Sequence, residues 1–251
     1  MLDVCNACVE FDRFRAVDGV TLSVAPTAIV GIAGTNGAGK TTLFGAIAGQ
    51  LPLASGEIVF EGHDISRLPP NRRARRGLAR TFQVPREFGS LTVLDNLRAA
   101  APNDAHESLR AAWFGRPAAG RTDAELERRA DDVLALTGLS KMRDQPASSL
   151  SGGQKKLLEL ARALMGAPKC ILLDEPFAGV NPVLIAQLLD VLRAVHARGI
   201  ALVVIEHNLQ ALKAFARRLV VMDQGRVIAD GEPEAVLDDR RVQEAYMGGV
   251  V

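Results

Sequence analysis

The chain predicts an α/β fold with a mainly parallel core sheet, on three observations. The stretch IVGIAGTNGAGKTTL at 29–43 is an apolar strand followed by a glycine-rich turn and a helix start. KCILLDEP at 169–176 and IALVVIEHN at 200–208 are near-continuous apolar runs, the pattern of strands covered on both faces. Helical stretches alternate with these strands, as connections between parallel neighbours require.

In order, residues 2–24 alternate loosely, with Val20, Leu22 and Val24 on one face, and predict an antiparallel hairpin ahead of the core. Phe11 and Phe14 lie in its connecting segment, where an aromatic ring either stacks on a nucleotide base or packs into the core. Gly34-Thr35-Asn36-Gly37-Ala38-Gly39-Lys40-Thr41 fits G-x-x-x-x-G-K-[ST], the P-loop. Glycines let backbone N–H groups turn inward around phosphate oxygens, and the helix beginning near Lys40 points its positive end at the same anion. Lys40 would reach the β- and γ-phosphates, and the Thr41 hydroxyl would ligate Mg²⁺. The bland alternative is a glycine-rich turn with an incidental lysine, and the strand before it and helix after it weigh against that.

SGEIVFEGHDI at 55–65 reads as a strand, a turn at Glu61-Gly62 and a short return. NRRARRGLAR at 71–80 puts five arginines on a helical segment; without interleaved aromatics this predicts a solvated face rather than a nucleic-acid site. A short strand at 78–83 ends at Gln83. From there to about Leu150 the composition turns to Ala, Arg, Glu and Leu, broken by Pro102, Gly115, Pro117 and Gly120. Leu126, Ala130, Val133, Leu134 and Thr137 fall at helical spacing, so this segment is predicted as an all-helical insert.

Ser151-Gly152-Gly153-Gln154 then feeds an amphipathic helix, either a second anion site or a simple helix cap. The strand at 169–176 ends in Asp174 and Glu175. Ligands of parallel sheets gather at the carboxyl ends of strands, which places Asp174 to hold Mg²⁺ and Glu175 to polarise an attacking water. Leu188, Val191, Leu192 and Val195 face inward on a helix over 184–197. The strand at 200–208 ends in Glu206 and His207, and that histidine is either structural or a γ-phosphate contact. A hairpin over 219–229 and a short helix through 232–246 complete the chain.

The bulk properties narrow the class. With 251 residues, 48% of them hydrophobic, the chain is long enough for one large domain or two small ones. A net charge of +1 argues against a nucleic-acid partner. No apolar run approaches the ~18 residues of a membrane span, and acidic residues interrupt the N-terminus, so a cytoplasmic protein is expected. Cys5-x-x-Cys8 has no second pair or nearby histidine to complete a zinc site, and Cys5 reads as a small strand residue.

Taken in order, these motifs resemble the ATP-binding subunit of an ABC (ATP-binding cassette) transporter over nearly the whole chain. GTNGAGKTT at 34–42 is similar to the Walker A loop, LSGGQ at 150–154 to the signature motif and ILLDEP at 171–176 to Walker B with its adjoining glutamate. The resemblance implies an ABC cassette of the P-loop NTPase fold: a core with an antiparallel β subdomain from 1–83 and 156–251, and a helical subdomain at 84–155. It implies ATP bound by Phe11, as adenine-stacking aromatic, and by Gly34 through Thr42. Mg²⁺ would be held by Thr41, Gln83 and Asp174, and hydrolysis carried by Glu175, His207 and the Q-loop Gln83. Ser151, Gly152, Gly153 and Gln154 would complete the ATP site of a second cassette bound head to tail, beside the D-loop residue Asn181.

Two residues depart from the family pattern. Thr35 stands where proline is common, a position that contributes turn shape. Asn181 stands where many relatives carry aspartate, which keeps hydrogen bonding and loses charge. The implied partners are integral-membrane permease subunits, a second cassette (identical or different) and, in the full system, an extracytoplasmic solute-binding protein. The implied location is peripheral, on the cytoplasmic face of the membrane. The helical insert and the 83–88 stretch would receive the permease. RTFQ, DEPFAGVNP, VIEHNLQAL and EAYMGG are most similar to ATPases of branched-chain amino acid importers, while RARRG and EPFAGV are shared with the lipopolysaccharide-export subgroup. A soluble ABC ATPase is the remaining alternative; those usually carry a coiled-coil insertion or two cassettes per chain.

Overall fold

A computed structural model of the chain describes residues 1–81, 86–102 and 123–247. Two compact units emerge, Met1–Gln83 with Pro168–Val251, and Val84–Ala167.

The first unit holds two sheets. Strands β1 (Leu2–Phe11), β2 (Phe14–Val24), β4 (Ser55–Phe60) and β5 (His63–Asp64) form an antiparallel sheet ordered β2-β1-β4-β5. The second sheet, ordered β10-β9-β3-β8-β7-β6, is built on β3 (Ile29–Gly34), β6 (Leu78–Arg80), β7 (Cys170–Asp174), β8 (Ala201–Ile205), β9 (Arg218–Asp223) and β10 (Arg226–Gly231). Its pairings are parallel except at the β9–β10 edge. Every residue of β3, β7 and β8 is buried, which explains their uninterrupted apolar sequences. One apolar core runs through both sheets: Leu2, Val4 and Phe60 join Val30, Ile32, Val203 and Val220 around Leu43 and Phe44 of helix α1 (Lys40–Ile47).

The parallel register fixes the site. Asp174 pairs with Ile205, Ile205 pairs with Ile32, and Gly34 pairs with Met222, so β3, β7, β8 and β9 all end on one edge.

Helix α2 (Pro70–Arg75) departs from expectation. Its arginines are not uniformly solvated: Arg73 is only 2% exposed. Its guanidinium donates to Ala46 O and Ile47 O in the last turn of α1, and to Leu68 O and Ser66 O. Burial lowers its pKa to about 10. Carbonyls at a helix end need donors, and this fold supplies them from a sequence-distant arginine.

In the second unit, the described helices are α3 (Val93–Ala100), α4 (Asp123–Thr137) and α5 (Gly152–Met165). Ala130, Val133, Leu134 and Thr137 form the buried face of α4, as their spacing predicts. Gly115, Pro117 and Gly120 lie outside the described residues.

Back in the first unit, α6 (Pro182–Ala197) buries Leu188, Val191, Leu192 and Val195. It is followed by α7 (Leu209–Phe215). The helix expected over 232–246 is two, α8 (Pro233–Leu237) and α9 (Arg240–Met247). The break falls at Asp239, whose carboxylate accepts the Arg241 N–H at 2.8 Å and starts a new helix. Among the described residues no helix is long and apolar enough to cross a membrane.

Candidate functional site: a phosphate loop at the carboxyl edge of the parallel sheet

The turn between β3 and α1 takes its shape from two glycines whose environment admits no side chain. Gly34 has φ of +148°, and a Cβ there would lie 2.2 Å from Met222 O; Gly39 has φ of +92°, and a Cβ would lie 2.2 Å from Ala16 O. Gly39 starts α1 without a side-chain cap, which leaves the helix N-terminus to a ligand anion. Lys40 is 6% exposed, and its ammonium donates to Gly34 O at 2.9 Å and Thr35 O at 2.8 Å. Burial lowers its pKa, while Glu175 and Asp174 pull the other way. The Thr35 hydroxyl donates to Asp223 at 3.4 Å.

Asp174, the last residue of β7, is 3% exposed. Its Oδ2 accepts from Arg80 at 2.7 Å, whereas its buried Oδ1 has no hydrogen-bond partner among the described residues. An orphaned buried carboxylate oxygen beside a threonine-bearing phosphate loop fits a hard cation. Among the described residues no cluster of three His, Cys, Asp or Glu side chains occurs. Such a cation would therefore take most of its ligands from phosphate and water, which is how Mg²⁺ is commonly bound.

Glu175 follows with φ of +49°, a left-handed conformation unusual for a side-chain-bearing residue. Its N–H donates to Ile205 O at 3.0 Å, and its Oε1 lies 2.7 Å from Nε2 of His207 in a hydrogen bond. A cavity of about 310 Å³ runs from Phe11 and Phe14 along Asn36–Thr42 to Glu175 and His207. Phe11 and Phe14 are cross-strand partners at the β1–β2 turn, 47% and 65% exposed, so the core-packing alternative does not apply to either ring. A second cleft, of about 690 Å³, lies where Gly34–Ala38 face Tyr246.

The structure thus brings together Phe11, the 34–42 loop, Asp174, Glu175 and His207 within the first unit. Ser151–Gln154 belong to the second unit and form a capping box: Gln154 N–H donates to Ser151 Oγ at 3.3 Å, and Ser151 N–H donates to Gln154 Oε1 at 2.8 Å. Asn181 caps α6, accepting the Leu184 N–H at 2.9 Å. Gln83 lies outside the described residues. Two polar residues beside the site went unassigned from sequence. Arg80 ends the arginine run that predicts a solvated face, yet it is bonded to Asp174 and to Gln50 at 2.7 Å. Glu206 reads in the sequence only as a strand end, yet it is 3% exposed.

The comparisons with known proteins agree with this geometry. A family described as "ABC transporter" matches residues 17–178, and one described as "Branched-chain amino acid ATP-binding cassette transporter" matches 226–251. The chain is 36% identical to a probable branched-chain amino acid transport ATP-binding protein, LivG, of Archaeoglobus fulgidus, covering 99% of this chain and 95% of that one. It is 35% identical to the lipopolysaccharide export system ATP-binding protein LptB of Haemophilus influenzae, covering 97% and 95%. Among solved structures, a nucleotide-free ATP-binding cassette from an ABC transporter superposes with a TM-score of 0.85 at 35% identity, covering 98% of both chains. A cassette in its ADP conformation gives 0.85 at 36%, covering 99% and 98%. A P-loop, a Walker B carboxylate and a glutamate–histidine pair on one sheet edge, in a chain with such relatives, are those of an ATP-hydrolysing cassette, and the chain belongs to the ABC transporter family.

Proposed function

We propose that this ATPase powers solute movement through a separate membrane permease, with branched-chain amino acids as imported cargo. The observation that carries the cargo is the match of residues 226–251 to a family described by that cargo. The relatives named for lipopolysaccharide export, at equal identity, support a second reading in which a lipid-like cargo leaves the cell.

Each side chain takes a role from its chemistry. The base rests on Phe11, the phosphates enter the 34–42 loop, and Lys40 exchanges two loop carbonyls for phosphate oxygens. Thr41, Asp174 and Gln83 would hold Mg²⁺, which when bound neutralises charge on the β- and γ-phosphates. Glu175 accepts a proton from the attacking water. Its present partner, His207, must let go of Oε1 for that to happen, and the γ-phosphate is the acceptor that draws the imidazole away.

In the proposed assembly, two cassettes meet head to tail. Ser151–Gln154 of one subunit close over the nucleotide of the other, and Asn181 lies at the junction. ATP binding closes the pair and hydrolysis reopens it. The dimer sits peripherally on the cytoplasmic face of the membrane, the 84–155 segment acts as the helical subdomain facing the permease, and an extracytoplasmic solute-binding protein delivers cargo. The direct experiment co-purifies the chain with its permease and measures which solute stimulates ATP hydrolysis. Stimulation by leucine, isoleucine or valine supports import; stimulation by lipopolysaccharide alone overturns it.

A further inference from the structure

Glu206, at the end of β8, has no role in the reading above, and its surroundings are unusual. Its carboxylate is 3% exposed, and none of the ion pairs among the described residues includes it. Burying a carboxylate without a cation is costly, and an apolar side chain would be the cheaper occupant of such a place. What the carboxylate meets instead is backbone. Oε1 accepts the Phe177 N–H at 2.6 Å, and Oε2 accepts the His207 N–H at 3.2 Å.

These two bonds lie on opposite sides of the Glu175–His207 contact. Phe177 is two residues beyond Glu175, in the turn that leaves β7, and His207 is adjacent to Glu206 at the end of β8. Glu206 itself is anchored, because its N–H donates to Ile32 O on β3 at 3.2 Å. Glu175 stands in a left-handed conformation that a turn holds only if its flanks are tied. The Glu175 N–H to Ile205 O bond ties one flank, and the buried Glu206 side chain adds a tie that reaches the segments of both partners.

We propose that Glu206 is a positioning residue whose carboxylate fastens the backbone carrying Glu175 to the backbone carrying His207, and so sets the register in which those two side chains meet. The inference rests on the roles given above to Glu175 and His207. Glutamine is the informative replacement: it keeps volume and one acceptor for Phe177, but turns an N–H₂ toward the His207 N–H.

The test is steady-state ATP hydrolysis by the full chain, alongside ATP affinity and melting temperature. Glu206→Gln is expected to lower kcat at least tenfold, with KM and ATP affinity within twofold of wild type, whereas a purely structural role would weaken binding and stability in parallel. In a His207→Ala background the same substitution should cost far less than in wild type, because the backbone N–H of residue 207 remains but the imidazole whose placement against Glu175 it sets is already gone. A kcat within twofold of wild type, or an undiminished loss in the His207→Ala background, overturns the proposal. If Glu206→Gln does not fold, Glu206→Asp, which keeps both acceptors on a shorter stem, is judged by the same criteria. Full activity in Glu175→Gln and His207→Ala would instead overturn the roles on which the inference rests.

Discussion

At the residue scale, the site separates binding from turnover. In the proposed roles the 34–42 loop holds the phosphates and Glu175 acts on the attacking water, so Glu175→Gln is expected to keep ATP affinity while losing on the order of 10²–10⁴ in kcat, the usual worth of a positioned general base. Isothermal titration and a phosphate-release assay check the two halves, and a variant that hydrolyses at the wild-type rate would falsify the assignment. Glu206 gives a pH prediction. Burial raises its carboxyl above the ordinary glutamate value; the N–H groups of Phe177, Asn208 and His207 oppose that, and the charge of Glu175 adds to it. A raised carboxyl binds its proton more tightly folded than unfolded. Its contribution to stability is therefore greatest at low pH and falls as pH climbs from the unfolded value, ~4.3, through the folded one. Glu206→Gln removes that dependence. The melting-temperature difference, variant minus wild type, should be more favourable at pH 8 than at pH 5, and an unchanged difference would contradict the raised value.

At the element scale, α1 carries the phosphate loop at its start and relies on Arg73 at its end. Arg73→Met leaves Ala46 O, Ile47 O, Leu68 O and Ser66 O without the donor they now share. Ala46 O keeps the Gly49 N–H at 3.1 Å, and loss of the arginine donor at the other carbonyls predicts a loss of about 3 kcal/mol. In a chain of this size that is a fall of roughly 10 °C in melting temperature, measurable by calorimetry. Such an effect was invisible in the arginine-rich stretch at 71–80, where all five arginines look alike until the fold selects Arg73 to cap α1. The strands were legible for the opposite reason. Burial on both faces permits only apolar residues, so β3, β7 and β8 announce themselves in contiguous letters. The Gly34–Thr41 loop was legible because phosphate chemistry forces glycine, lysine and threonine into one short window. Arg80 and Glu206 were not, because their partners lie 94 and 29 positions away across strand ends. Only the register of the sheet brings those groups together.

At the scale of the whole molecule, the proposed head-to-tail pair makes a prediction that no single subunit can satisfy. Lys40→Ala and Ser151→Ala damage opposite halves of a shared site, so each protein alone should hydrolyse ATP poorly. Mixed, they form some dimers in which one site carries both lesions and the other carries none. Hydrolysis by the mixture should exceed the sum of the separate rates. A rate equal to that sum would place both halves of the site within one subunit.

The Lys40 ammonium has a consequence for how such variants are read. It is bonded to the carbonyls of the loop that presents it, Gly34 O and Thr35 O. The lysine is thus a scaffold for its own binding loop before it is a ligand for anything else. Alanine at position 40 removes a phosphate contact and an internal brace in one step. A lost affinity measured in that variant is the sum of the two. Inorganic triphosphate affinity, compared between Lys40→Ala and Lys40→Arg, would weigh the lost charge against the lost brace.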